Sequence, residues 1–414
     1  MLMQVGGRVT TQMRCFLAFG RQSDNVNVVR KCLLSSSSSA GSTTTPTSTS
    51  NTDNTKAKHQ SDGSTNKVKR IPDSEIKKSV FISQSSDIFT NLALEDWLYK
   101  NFDFTHHHVL LLWANNPCVV IGRHQNPFTE SNVSKLLDKG IVLARRNSGG
   151  GAVYHDKGNL NCTFFTPRER YNRKYNLNIL TRALFREWAI KSEINKRDDI
   201  VISGKKISGT AAKLGHPNAY HHCTLLVNSN KLHLSEALAR EEANYISKAT
   251  ASVRSPIKNL NDVNRAVNVP QLLSAVGYEY LRTSATELTD GGQDQTMKQR
   301  GFQLVNPTEK WFPGINEIRD LFGSWDWVYG NTPKFQVEKE INLKADEKEH
   351  KMILRIDVEK GLISEMTITM PTNEAVPIVS ELQGKPYNED NLQGILGALK
   401  MVSTENVKQA MNGF

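Results

Sequence analysis

The sequence predicts a mixed α/β (α+β) fold with a small α+β module at its C-terminal end. Three observations carry that prediction. Apolar runs at 109–113, 118–121, 162–166 and 220–227 have strand length and turn-forming neighbours. Between them, 87–102 and 177–191 space their apolar residues as one face of a helix. Past residue 334 the pattern becomes three strands, at 335–343, 352–358 and 362–370, followed by two or three helices.

At 414 residues, the chain has room for two or three domains. No apolar run reaches the about 18 residues that a spanning helix needs, so no membrane partner is expected. The net charge is +10, but residues 1–78 carry 12 Lys/Arg against 5 Asp/Glu and hold +7 of it. The excess lies mainly outside the folding part, which argues against a nucleic-acid partner. Five cysteines, none spaced C-x-x-C, argue against a disulfide framework or a zinc site and for a reducing interior.

Residues 1–23 carry Arg8, Arg14 and Arg21, interleaved apolar residues and no acid. That is the composition of a mitochondrial transit peptide, placed at 1–34. A Ser/Thr-rich linker follows at 35–75, too poor in apolar groups to offset the entropy of ordering. The folded domains are placed at 76–310 and 311–414. In the first, a strand is expected at 80–83, then a helix capped by Asp87. The runs 109–113 and 118–121 read as a hairpin or as two neighbouring buried strands. Pro127 opens a helix that Gly140 ends. A strand at 141–145 leads into the glycine stretch. Strand 199–202 turns at Ser203-Gly204 into 205–212. Short helices at 235–240 and 270–276, the latter stopped by Gly277, precede a polar loop at 289–301. Trp311, Phe312, Trp325 and Trp327 anchor the second module.

Chemistry concentrates in Arg145 to Asn161 and Lys205 to Ala212. Gly149, Gly150 and Gly151 have no Cβ, so the chain can take positive φ and bring its amides close to a ligand. Successive amides in such a turn cradle an anion. Arg145 and Arg146 can add charge-assisted bonds to a phosphate or carboxylate. Lys206 sits between Gly204 and Gly209. The combination fits a small anionic ligand with a reactive carbonyl; the competing reading is a tight turn with solvated arginines. G-x-G-x-x-G, the Walker loop and the nucleophile elbow are all absent. His106-His107-His108 and His221-His222 lack metal-ligand spacing, and adjacent histidines on a strand point to opposite faces, so no metal is expected.

Arg145-Arg146-x-Ser148-Gly149-Gly150-Gly151-Ala152-Val153-Tyr154-His155-Asp156-x-Gly158-Asn159 resembles the signature of the lipoate–protein ligase A and lipoyltransferase family. Trp113, followed by Val119-Val120-Ile121-Gly122-Arg123-x-Gln125-Asn126, is similar to its upstream block. Lys206-x-Ser208-Gly209-Thr210-Ala211 resembles its lysine motif, and Arg197-x-Asp199 and 221–226 resemble further blocks. The matches run in order over roughly residues 80–260. The layout, with Phe312-Pro313-Gly314-Ile315-Asn316 and a small C-terminal module, looks most like the mitochondrial lipoyltransferase branch.

The resemblance implies a biotin/lipoate protein ligase-like catalytic domain with a small accessory domain. It implies lipoyl-AMP as the activated donor and transfer of its lipoyl group to a lysine of an acceptor. Lys206 would bond the acyl carbonyl and the phosphate. Ser148 and Gly149, Gly150, Gly151, Ala152, Val153 and Tyr154 would lie along the adenylate. Arg146 and Arg197 are phosphate or adenine-side candidates, although Arg197 has Asp198 or Asp199 as alternative partners. Asp199 would orient Lys206 or accept from the ligand. Thr224, Thr250 and Ala251 would lie near the nucleotide, while Trp113 and Val153 wall the lipoyl chain. The base that frees the acceptor amine is unassigned; turn roles are expected for His155 and Asp156. Implied acceptors are lipoyl domains of 2-oxoacid dehydrogenase acyltransferase components and glycine-cleavage H protein, met by a monomer in the mitochondrial matrix. A complete ligase using lipoate, ATP and Mg²⁺ is the main alternative. A biotin ligase and a non-catalytic lipoyl-AMP sensor are the others.

Overall fold

The computed structural model describes residues 71–239, 244–345, 348–369, 375–377, 381–388, 391–394 and 396. The transit peptide, most of the linker and most of the C-terminal helices expected from sequence lie outside these residues. The first described element is a 3₁₀ turn, Asp73–Glu75, within the range expected for the linker. Asp73 ties it down by accepting from Ser284 Oγ (2.6 Å) and Thr286 Oγ1 (2.6 Å).

The elements in chain order are β1 (Lys77–Ser83), α1 (Ile88–Asn101), β2 (His107–Trp113), β3 (Cys118–Ile121), α2 (Pro127–Glu130), α3 (Val133–Asp138), β4 (Val142–Arg145), β5 (Val153–His155), β6 (Asn159–Pro167) and α4 (Arg173–Trp188). Then come β7 (Glu193–Ile194), β8 (Ile200–Ile202), β9 (Lys205–Lys206), β10 (Thr210–Leu214), β11 (Asn218–Leu226), α5 (Lys231–Ala237), β12 (Asn244–Ser247), α6 (Val269–Arg282), α7 (Gly292–Met297) and β13 (Gly301–Val305). α8 (Ile315–Gly323), β14 (Phe335–Ala345), β15 (Lys348–Glu359), β16 (Leu362–Thr369) and β17 (Ala375–Pro377) complete the series.

The main sheet has the order β10-β11-β6-β2-β1-β13. β1 runs parallel to β2 and β13, and the other neighbours are antiparallel. Both faces are covered, so β2 is apolar at every position from Val109 to Trp113 rather than alternately. Val80, Leu110, Leu112 and Phe164 pack on Leu180 and Leu184 of α4 and Val276 and Tyr280 of α6. Phe81, Val109, Leu111 and Phe165 face the other way, onto Leu92 and Leu98 of α1 and Phe322 of α8. The result is a helix–sheet–helix sandwich of mixed α/β class.

Four local expectations change. β2 and β3 neither form a hairpin nor adjoin: β3 belongs to a separate sheet, β4-β3-β5. The helix opened by Pro127 breaks at Ser131, and Asn126 and Asn132 cap the two short pieces. Gly277 does not end α6. A Cβ there would collide with the Phe302 ring, so the glycine serves close packing within the helix. The polar stretch 289–301 also holds α7 and leads directly into edge strand β13.

A second, antiparallel sheet has the order β12-β14-β15-β16-β17. Its strands β14, β15 and β16 match the three expected from sequence, but edge strand β12 comes from residues 244–247. Phe128 of α2 is buried against Phe335 and Tyr387 of this module. Trp97 and Phe312 pack edge to face, 5.1 Å between centroids, which fixes the aromatic connector on α1.

Candidate active site

A cleft of about 230 Å³ lies among the glycine loop, the β8–β9 hairpin and one face of β11. The loop leaves β4 and returns on β5. Gly150 takes φ 89°, a conformation that disfavours any side chain. A Cβ on Gly122, at the end of β3, would run into Gly150 O. Two glycines therefore let two backbone segments touch.

Arg146 holds the loop from inside. It donates from Nε to Ser148 Oγ (3.0 Å) and Gly149 O (3.1 Å), from Nη1 to Val120 O (3.1 Å), and from Nη2 to Gly149 O (2.5 Å) and Gly151 O (2.8 Å). These bonds leave one Nη1 hydrogen uncommitted. Burial lowers its pKa to about 10, so it stays charged at neutral pH. Arg145 is wholly buried and bonds the carbonyls of Arg123, Gln125 and Val328 and the Thr332 hydroxyl. The ligand role open to Arg145 from sequence is closed by these bonds.

The β8–β9 hairpin presents Lys206. Ser203 (φ 50°) and Gly204 (φ 73°) make the two-residue turn with both residues left-handed, the geometry that matches strand twist. The Lys206 backbone is pinned on both sides: its N–H donates to Pro256 O and its carbonyl accepts from Lys258 N, both at 2.9 Å. Its Nζ lies 2.7 Å from Asp199 Oδ1. Asp198 pairs instead with Arg173, at 3.1 Å. Arg197 is exposed on the cleft wall and makes no ion pair among the described residues. Ser208 Oγ accepts from Ile200 N (2.9 Å) and closes the hairpin base.

Gly209 shows how close the parts come. A Cβ built on it would meet Thr224 Oγ1 at 3.4 Å, Val153 Cγ1 at 3.6 Å and Lys206 Cε at 3.9 Å. The lysine motif, the glycine stretch and β11 thus meet at one point. The Thr224 hydroxyl accepts from Gly209 N (3.0 Å), which positions the motif backbone.

Other predicted residues fall as follows. Ala152 lies on the cleft wall, and its N–H donates to Ser252 Oγ (2.7 Å). Tyr154 is buried on β5 in the cluster with Val119 and Ile121. Ser148 is buried, accepts from Arg146 and bonds His222 Nε2 at 2.8 Å. Thr250 and Ala251 are exposed; Thr250 O accepts from Gln125 Nε2 (3.2 Å), and the next residue, Ser252, is the one on the wall. Asp156 has the expected turn role, accepting from Gly158 N and Asn230 N. His155 does not: it sits on β5 in the cleft wall.

Sequence reasoning assigned no role to Ser252 or His222. His222 Nδ1 bonds Glu95 Oε1 (2.8 Å), which also accepts from Thr163 Oγ1 (2.8 Å), the acceptor of Trp113 Nε1 (3.1 Å). A signal for His222 existed, because it shares the strand face of Thr224 by the period of two. His221 points the opposite way, stacked on Phe164.

Residues 87–280 match the model of the lipoyl protein ligase A/B catalytic domain. The chain is 41% identical over 295 residues to a mitochondrial lipoyl amidotransferase of Mus musculus, covering 70% of this chain and 75% of that one. It is 32% identical over 340 residues to a lipoate-protein ligase A of Bdellovibrio bacteriovorus, covering 80% and 94%. A solved P. falciparum LipL1 structure in complex with lipoate superposes with a TM-score of 0.53 at 24% identity, covering 78% of this chain and 98% of that one, which is a likeness of fold. With the cleft assembled from the same motifs, the chain belongs to the lipoyl protein ligase A/B catalytic-domain family.

Proposed function

We propose that this enzyme is an acyltransferase that moves a lipoyl group from lipoyl-AMP to a specific lysine of an acceptor lipoyl domain. The observation that carries the reading is the meeting of the Lys206–Asp199 pair with Val153 and the glycine loop around Gly209. The neutral acceptor amine attacks the acyl carbon, the bond from that carbon to the phosphate oxygen breaks, AMP leaves, and the new amide nitrogen gives up its extra proton to water. Negative charge grows on the carbonyl and phosphate oxygens. Lys206, aimed by Asp199, stabilises both, and such a donor is worth about 10²–10³ in rate. Gly149, Gly150 and Gly151 amides, with Arg197 at the rim, suit the phosphate. Trp113, Val153 and Val120 suit the acyl chain. Residues 76–310 carry this chemistry, and 311–414 brace it through the Arg145 contacts with 327–332.

The acceptors in this reading are lipoyl domains of 2-oxoacid dehydrogenase acyltransferase components and glycine-cleavage H protein. The enzyme acts as a monomer in the mitochondrial matrix; the Arg-bearing, acid-free start of the chain and the mitochondrial designation of its relative support the compartment. The second reading is a complete ATP-dependent ligase, favoured by the relationship to a lipoate-protein ligase over 94% of that protein. Incubating apo lipoyl domain with preformed lipoyl-AMP, or with lipoate, ATP and Mg²⁺, separates the two. Transfer from lipoyl-AMP with little product from the second mixture is expected. Equal product from both establishes the ligase, and no product from either refutes both.

A further inference from the structure

His155 has a proton whose position can be worked out. Asn91 Nδ2 donates to Ser85 O (3.0 Å), a carbonyl that can only accept, which fixes the Asn91 amide. The same nitrogen donates to Asn115 Oδ1 (2.9 Å). Asn115 therefore turns its Nδ2 to His155 Nδ1, at 2.9 Å, and that ring nitrogen accepts. An accepting imidazole nitrogen carries no proton. Burial drives the pKa of His155 down to about 3, so the ring is neutral and its one proton resides on Nε2. Nε2 is itself buried and has no partner among the described residues, and the ring forms part of the cleft wall.

The position in the cleft gives this donor a meaning. His155 stands edge-on to Trp113, 6.1 Å between centroids, and Trp113 O accepts from Asn161 Nδ2 (3.3 Å). These residues come from β2, β5 and β6. The charged groups Lys206, Asp199 and Arg197 come from the β7–β8–β9 side. The Lys206 end of the cleft is ionic; the other combines apolar Leu92, Trp113, Val120 and Cys223 with Arg146, Asn161 and His222, whose polar atoms are bonded to protein groups, and with the His155 N–H, which has no acceptor among the described residues. In the proposed function, on which this inference rests, the ionic end takes the acyl phosphate and the other takes the tail.

We infer that His155 determines acyl specificity, its Nε2–H donating to an acceptor atom at the tail of the chain, a dithiolane sulfur in a lipoyl group. A saturated tail of the same length buries that N–H with nothing to receive it, which is unfavourable. Sites built to hydrogen-bond a group discriminate against the analogue that lacks it. Sulfur is a weak acceptor, so the discrimination expected here is modest.

The test uses the full chain and two non-reactive adenylate analogues, lipoyl and octanoyl sulfamoyl-adenosine, titrated by calorimetry, alongside kcat/KM for lipoyl-AMP and octanoyl-AMP. The wild type should favour the lipoyl analogue. His155→Leu should reduce that preference about 3- to 10-fold, through the lipoyl arm, while His155→Gln, which keeps an N–H at that height, should retain most of it. A wild-type ratio within about twofold of one overturns the inference even where His155→Leu fails to fold. So does a folded His155→Leu protein whose two arms weaken equally. Binding is read without turnover: a preference that responds to His155 in a protein that transfers nothing removes the proposed reaction and keeps the specificity assignment. Transfer with a ratio indifferent to His155 does the reverse, and failure of both analogues to bind removes both.

Discussion

Asp199 stands 2.7 Å from the Lys206 ammonium, and its carboxylate is almost entirely buried. A buried carboxylate fixes a flexible lysine in one direction, and pre-set direction is what a transition-state donor needs. Asp199→Asn keeps the shape and removes the charge. Transfer should fall about 10-fold or more with a smaller change in KM for lipoyl-AMP, measured by steady-state kinetics; an unchanged kcat would contradict the orienting role. At this scale much was legible in the sequence. Lys206 and the three glycines stood out because their chemistry is carried by residue type. The work of Arg146 was not legible, since a guanidinium beside a glycine run serves a ligand or the loop equally well. Only the bonds to Val120, Gly149 and Gly151 show where its hydrogens go.

Among the elements, the β3 end and the glycine loop form the tightest pair. Gly122 lets Gly150 O approach where any Cβ would stand. Gly122→Ala pits a methyl group against backbone, which cannot step aside like a long side chain. Overpacking of this kind costs about 1–3 kcal/mol, so urea midpoints should fall and transfer should weaken with them. A variant of wild-type stability and activity would contradict this packing account. Most strands and helices were readable from apolar spacing, and their partners were less so. The runs 109–113 and 118–121 are adjacent in sequence and alike in composition, yet they join different sheets. Sheet partners depend on contacts distant in sequence, such as β2 with β6, and local periodicity does not encode them. Gly277 misled for the same reason: its purpose is contact with Phe302, a residue 25 positions away.

Across the whole molecule, Arg145 ties the β4-β3-β5 sheet to the aromatic connector. It bonds Gln125 O (2.7 Å) on one side and Val328 O (2.7 Å) and Thr332 Oγ1 (3.0 Å) on the other. Arg145→Met fills similar space but strips several buried acceptors of their donor. Each such loss costs about 1–3 kcal/mol, so destabilisation of at least ~3 kcal/mol is expected in chemical denaturation; a loss below ~1 kcal/mol would contradict the brace. The protein should also lose stability in acid before its carboxylates titrate. His108 and His155 are buried, and desolvation lowers both pKa values to about 3, while His221 is lowered well below its usual value for the same reason. Because the folded pKa lies below the unfolded value near 6.5, the unfolded state binds more protons between those limits. Stability therefore falls as pH drops through about 6.5, by about 1.4 kcal/mol per unit for each fully responding imidazole. Lys78, buried with its pKa lowered to about 7, gives the same sign higher up, with stability growing as pH rises from 7 toward 10.5. Urea unfolding at pH 7.0 and 5.5 reads the first effect, and equal free energies would contradict it. Net charge and composition announced neither feature, because both depend on which polar groups the fold takes out of water.

Lys206→Ala, assayed in single turnover with preformed lipoyl-AMP and apo lipoyl domain, tests the account most directly. The variant should unfold like the wild type and still bind the adenylate, with lipoyl transfer slowed about 10²-fold or more. A folded variant that transfers at the wild-type rate would contradict it.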